Sequence, residues 1–145
     1  MVGDGSTGRP DWPHLGVALM QPRSRGRVSL TSADQSVALH IEHRYDSEAA
    51  DVAALGDGVE LARALAAAAN EIGEPAWATS QHLCATAPMG LDGDPVAVTD
   101  PQCRVRGVDG LWVVDGSVLP AVPSRGPHAT IVMLAHRAAQ FVAAG

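Results

Sequence analysis

Residues 104–142, RVRGVDGLWVVDGSVLPAVPSRGPHATIVMLAHRAAQFV, carry the reading on which the fold rests. Residues 111–114 form a short apolar run between Gly110 and Gly116, the pattern of a buried strand. Pro120, Pro123 and Pro127 mark a turn. Beyond it Ile131, Leu134, Ala135, Ala138, Phe141 and Val142 recur at helical spacing with no proline among them, which predicts a helix beginning at His128. A strand therefore delivers Asp115 and Gly116 to one point, and a helix starts close by with a histidine at its mouth. Free amides and the dipole at a helix N-terminus favour an anionic or electron-rich group, so the junction is a candidate cofactor site. A strand, a turn and a packing helix with no ligand would show the same spacing.

Upstream of this unit the chain changes character twice. Residues 15–20 are apolar and short enough for a strand. Val28 and Leu30, then Val37, Leu39 and Ile41, alternate with polar neighbours across a Ser-Ala-Asp-Gln turn, which predicts a hairpin with one buried face. His40 falls among its outward residues and His43 near the strand end, both read as solvated, and Arg23, Arg25 and Arg27 read as a solvated or salt-bridged edge. Residues 48–55 read as a short helix broken by Gly56-Asp57-Gly58, and residues 59–72 as a second helix stopped by Gly73 and Pro75. Residues 92–95 are a turn and residues 96–98 a short strand.

Bulk properties narrow the function classes. A chain of 145 residues suits one domain and buries about 68–70% of its unfolded surface. The hydrophobic content is 46% with only five aromatic residues, so the core must be mostly Ala, Val and Leu. All ten basic residues are arginine; the absence of lysine excludes a GxxxxGK phosphate loop and a Schiff-base lysine. A net charge of -6 argues against nucleic-acid binding. Cys84 and Cys103 form no CxxC pair, so neither a zinc site nor a disulfide framework is signalled, and both are expected to pack as small hydrophobes. Scattered histidines without an HExxH pattern give a metal hydrolase little support, and no metal ligand set is assigned. GDGSTG at residues 3–8 matches G-x-G-x-x-G, but a proline-containing loop follows where a helix is required, so it reads as part of a flexible leader over residues 1–19. No stretch approaches the ~18 apolar residues of a membrane span, and a cytoplasmic protein is expected.

Residues 82–90, HLCATAPMG, combine a histidine, a cysteine, a threonine and a methionine with little helical period. This stretch is similar to the His-x-x-Gly-Thr-x-x-Met-Gly motif of the glucose-methanol-choline (GMC) flavoprotein oxidoreductases. GLWVVDGSVLP with PSRGPHATIVMLAHRAA resembles the same family's C-terminal signature, in the family's order, and the resemblance covers roughly residues 20–142. The wording around SRGPHATIVMLAHRAA is also similar to the mycofactocin-associated branch, which would imply a dehydrogenase linked to a peptide-derived redox cofactor.

The resemblance implies FAD as cofactor and an alcohol as small-molecule substrate. It implies that His82 takes the hydroxyl proton, work that suits an imidazole titrating near neutral pH. His128 corresponds to a second active-site residue that hydrogen-bonds the same oxygen. Asp115, Gly116, His128, Ala129 and Thr130 correspond to FAD-contacting positions, and His136 is read as structural. One departure stands out: Ala85 occupies the motif's glycine, which would strain the chain if that position needs a positive φ.

The family's FAD-binding strand-turn-helix belongs to the N-terminus of a longer chain, so the implied fold class is α+β. Residues 20–99 would be part of the substrate domain, built of antiparallel strands and packing helices. Residues 100–145 would return to complete the FAD domain. The implied partner is the missing N-terminal half. The expected function is oxidation of the CH–OH group of an alcohol by a chain that needs that half, with a remnant or complementing partner that binds no flavin by itself as the alternative.

Overall fold

The computed structural model describes residues 15–66 and 74–144; the GDGSTG pattern and the end of the expected second helix lie outside them. The chain forms two compact units, Met1–Gln81 and His82–Gly145. An α+β character is evident in two α-helices and a small antiparallel sheet.

In the first unit β1 (Arg27–Ser29) pairs antiparallel with β2 (His40–Glu42), Val28 opposite Ile41, forming the hairpin the alternation predicts. The ladder is shorter than the alternation suggested. Between the strands, side chains take over the backbone's bonds: Asp34 Oδ1 accepts from the Ser36 amide and hydroxyl, and the Asp34 amide donates to Ser32 Oγ. The hairpin's apolar face is not buried among the described residues, since Val28, Leu39 and Ile41 are all exposed. Arg25 is spent on its own loop, donating to the carbonyls of Pro22 and Ser24. Residues 15–20 are irregular, not a strand.

The expected break at Gly56-Asp57-Gly58 does not occur: α1 (Ala49–Leu65) runs straight through it. Interior glycines cost about 1 kcal/mol each but do not forbid a helix, and six alanines along α1 favour one. Gly58 also has a packing reason, because a Cβ there would lie 2.5 Å from Val17 Cγ1. The start of α1 is tied down by a carboxylate. Asp51 is buried, and its oxygens accept from the Arg23 and Ser24 amides at 3.1 and 2.7 Å. Ser24 Oγ in turn donates to the Tyr45 carbonyl and accepts from the Glu48 amide. The Ser24 amide holds the Asp51 carboxyl below its usual range, against the opposing effect of burial.

The second unit is a coil held by isolated bridges and closed by α2 (His128–Ala144), which begins where the apolar spacing predicts. Thr99 bridges both Met89 and Val105, and Arg104 bridges Trp112. The expected strand at residues 111–114 is only this bridge, extended by bonds from the Val105 amide to Leu111 O and from the Val113 amide to Cys103 O. Its partner segment is short because Gly107 and Gly110, both at positive φ, fold the chain tightly between them. Residues 96–98 likewise form no strand, and the pairing falls on Thr99 instead. The core consists of Cys103, Val118 and Ala138, with Met89, Trp112, Val113, Val114 and Leu134 packed on it. Cys103 is thus the small buried hydrophobe expected, and burial pushes its thiol up, with Asp100 adding to the effect.

Candidate active site

The candidate site lies wholly in the second unit and starts from one turn. After Val114 the chain enters a 3-10 turn, Gly116–Val118, whose N-cap is Asp115: its Oδ1 accepts the Ser117 amide at 2.8 Å. The carbonyls of this turn then hold the histidine motif. The Ala87 amide donates to Ser117 O at 3.0 Å and the Met89 amide to Val118 O at 2.9 Å, so residues 82–90 run alongside the Asp-Gly turn.

Gly116 sits where three segments converge. A Cβ on it would lie 3.2 Å from Ile131 Cδ1, 3.6 Å from Leu83 O and 3.9 Å from Cys84 Sγ. A hydrogen at this position lets the turn, the histidine motif and the first turn of α2 approach one another. Cys84 fills the space beside His82, its Sγ 3.5 Å from His82 O, and burial pushes its thiol up. Ala85 adopts φ +65°, the left-handed region, so its methyl is strained where the related motif has glycine.

The His82 imidazole is half-buried, and Nδ1 has no partner among the described residues. Its other edge faces the turn before α2: a Cβ built on Gly126 would lie 3.5 Å from His82 Cε1 and 3.8 Å from Nε2. His128, two residues further on, is exposed as the first residue of α2, and among the described residues no hydrogen bond joins the two histidines. The first intrahelical bond of α2 runs from the Ile131 amide to Pro127 O at 2.9 Å, which leaves the amides of His128, Ala129 and Thr130 without acceptors inside the helix. His128 and Ala129 are exposed and Thr130 half-buried.

The structure therefore brings together His82, the Gly116 turn and the mouth of α2. Asp115 stands beside them, exposed, with one oxygen committed to its own turn. Gly126 carries no signal in the sequence, because a glycine in a Ser-Arg-Gly-Pro turn looks the same with or without an imidazole nearby, and Cys84, expected only to pack as a small hydrophobe, gives no sign there of its place beside His82. A separate open cleft in the same unit is lined by Asp92, Asp100, Arg104, Arg106 and Trp112. It shares no residue with the histidine group, and Arg106 within it is bound to Asp92 and to the Gly90 carbonyl. Among the described residues no cluster of three or more His, Cys, Asp or Glu could hold a metal, and no helix is long and apolar enough to cross a membrane.

Comparison with known proteins gives this geometry a family. Residues 22–135 match the GMC oxidoreductase family. The chain is 41% identical over 150 residues to an uncharacterised GMC-type oxidoreductase of Rhodococcus erythropolis, covering 93% of this chain and 30% of the relative. It is 31% identical over 144 residues to an oxygen-dependent choline dehydrogenase of Photobacterium profundum, covering 84% of this chain and 25% of that protein. The solved structure of a fungal aryl-alcohol oxidase is similar with a TM-score of 0.67 at 26% identity, over 86% of this chain and 24% of the oxidase. The chain thus spans 24% to 30% of the length of these proteins. On the matched residues it belongs to the GMC oxidoreductase family and corresponds to its C-terminal region.

Proposed function

We propose that this chain is the C-terminal part of an FAD-dependent oxidoreductase that oxidises the CH–OH group of an alcohol, with His82 as the base. The observation that carries the reading is the convergence at Gly116 of the histidine motif, the Asp-Gly turn and the first turn of α2. The chain's residues fit the cofactor: the unused amides of His128, Ala129 and Thr130, with the positive end of the α2 dipole, suit an electron-rich ring edge, and Gly116, by lacking a side chain, lets the Asp-Gly turn and the histidine motif pack against that helix mouth. Asp115 presents its second carboxylate oxygen beside them. What FAD supplies when bound is an acceptor for the carbinol hydride.

The chain's own work is positioning and proton transfer. Nδ1 of His82 is shut in, so Nε2 takes the hydroxyl proton as the carbinol hydride leaves and the carbonyl forms. His128 is the second imidazole, placed at the helix mouth to hydrogen-bond the same oxygen. Residues 100–145 return to the FAD domain, residues 20–99 belong to the substrate domain, and the N-terminal half of the family's chain is the required partner in a cytoplasmic enzyme.

The test is anaerobic reduction of flavin by a panel of alcohols, with the chain combined with a polypeptide carrying the family's N-terminal half. Bleaching by an alcohol is expected, and His82→Gln should slow it about a hundred- to ten-thousand-fold, the range for a lost general base. Equal bleaching in the variant would remove His82 from its role. The strain at Ala85 is the observation that favours a second reading, a flavin-free remnant, for which no flavin would bind in that combination.

A further inference from the structure

Of the two imidazole nitrogens of His82, Nδ1 is buried and the Cε1–Nε2 edge faces Gly126. A Cβ at residue 126 would stand in ordinary van der Waals contact with that edge, at 3.5 and 3.8 Å. Any side chain there would cover the nitrogen from one side; hydrogen leaves the place open. The φ of Gly126 lies outside the left-handed region, so no left-handed turn explains the glycine. Gly126 is also far less confined than Gly116, whose Cβ would press on Ile131 and on the Leu83 carbonyl.

Resting on the reading of His82 as the base, we propose that Gly126 sets the substrate class, and that the space it leaves beside Nε2 takes the second carbon substituent of a secondary alcohol. The hydroxyl oxygen must lie within hydrogen-bond reach of Nε2, so the groups on the carbinol carbon fall next to it, where residue 126 would otherwise place a side chain. A primary alcohol leaves that space empty; a secondary alcohol fills it. The secondary alcohol gives its O–H proton to Nε2 and its carbinol hydride to FAD, and a ketone results.

The test is binding, read by NMR on this chain joined to the family's N-terminal half. The His82 Cε1–H resonance, assigned by its loss in His82→Gln, is followed during titration with benzyl alcohol and with 1-phenylethanol, which differ by one methyl on the carbinol carbon. The wild-type chain should bind 1-phenylethanol the more tightly. Gly126→Ala, which fills the space with a methyl, should weaken 1-phenylethanol about ten-fold or more and benzyl alcohol far less. Gly126→Ser adds the same Cβ and should repeat the effect. A preference for 1-phenylethanol that survives in both variants overturns the role of Gly126 and leaves alcohol binding at His82 standing. A resonance that neither alcohol moves in the wild type overturns both.

Discussion

The two units of this chain are held by different means. The second has a true apolar core, in which Cys103, Val118 and Ala138 are fully buried. Every stretch of the candidate site is bonded or packed onto that core. The first has Asp51 as its buried anchor and leaves Leu30, Leu39, Ile41, Leu61 and Leu65 at its surface. A carboxylate that accepts two amides fixes local geometry, but exposed leucine and isoleucine side chains gain little from folding alone. The comparison teaches that the chemistry-bearing unit is tied to a small apolar core, although it too leaves Leu91, Val96 and Met133 at its surface, while the other unit holds its shape by polar bonds.

The largest effect should come from the core of the second unit. Val118→Ala should lower the stability of that unit by about 2 kcal/mol, from lost apolar burial and the cavity left behind, measured by denaturant unfolding. Leu30→Ala in the first unit, at a side chain 79% exposed, should stay within about 0.5 kcal/mol. Similar losses at both positions would erase the distinction.

A smaller effect, of opposite sign, is expected beside the site. Ala85→Gly should stabilise the chain by about 1 kcal/mol, because it relieves a methyl held at positive φ, partly offset by the freedom glycine gains when unfolded. A loss of stability would mean that the Ala85 methyl contributes packing worth more than its strain.

The smallest is confined to acid. The folded Asp51 carboxyl titrates below its usual value of 3.8, so its contribution is present above the unfolded pKa and is lost as pH falls through the folded one. Unfolding followed from pH 6 to pH 2 should therefore show an acid-side loss that Asp51→Asn removes, the amide still accepting one backbone bond. An unchanged pH profile in the variant would deny the carboxylate its anchoring role.

What could be read from residue order follows the same division. The start of α2 was legible because proline ends the preceding turn at Pro127 and the apolar spacing begins at once. The hairpin was legible from its period-two alternation, but its register was not, because Val28 opposite Leu39 matches apolar with apolar as well as the observed Val28 opposite Ile41. The continuity of α1 was not, since the close approach of Gly58 to Val17 is a tertiary fact. The run at residues 111–114 looked like a full strand because composition reports burial and says nothing of how many partners a segment finds. His82 was legible only through its motif; its neighbour Gly126 carries no side chain to announce it.

The most direct measurement for the central claim, that His82, Gly116 and the mouth of α2 form one cofactor-binding constellation, is the visible absorbance of FAD titrated with this chain joined to the family's N-terminal half. A stoichiometric shift of the flavin bands, abolished when valine replaces Gly116 and crowds Ile131, is the result the account predicts. Folded protein that leaves the flavin spectrum unmoved, or a shift indifferent to Gly116→Val, would contradict it.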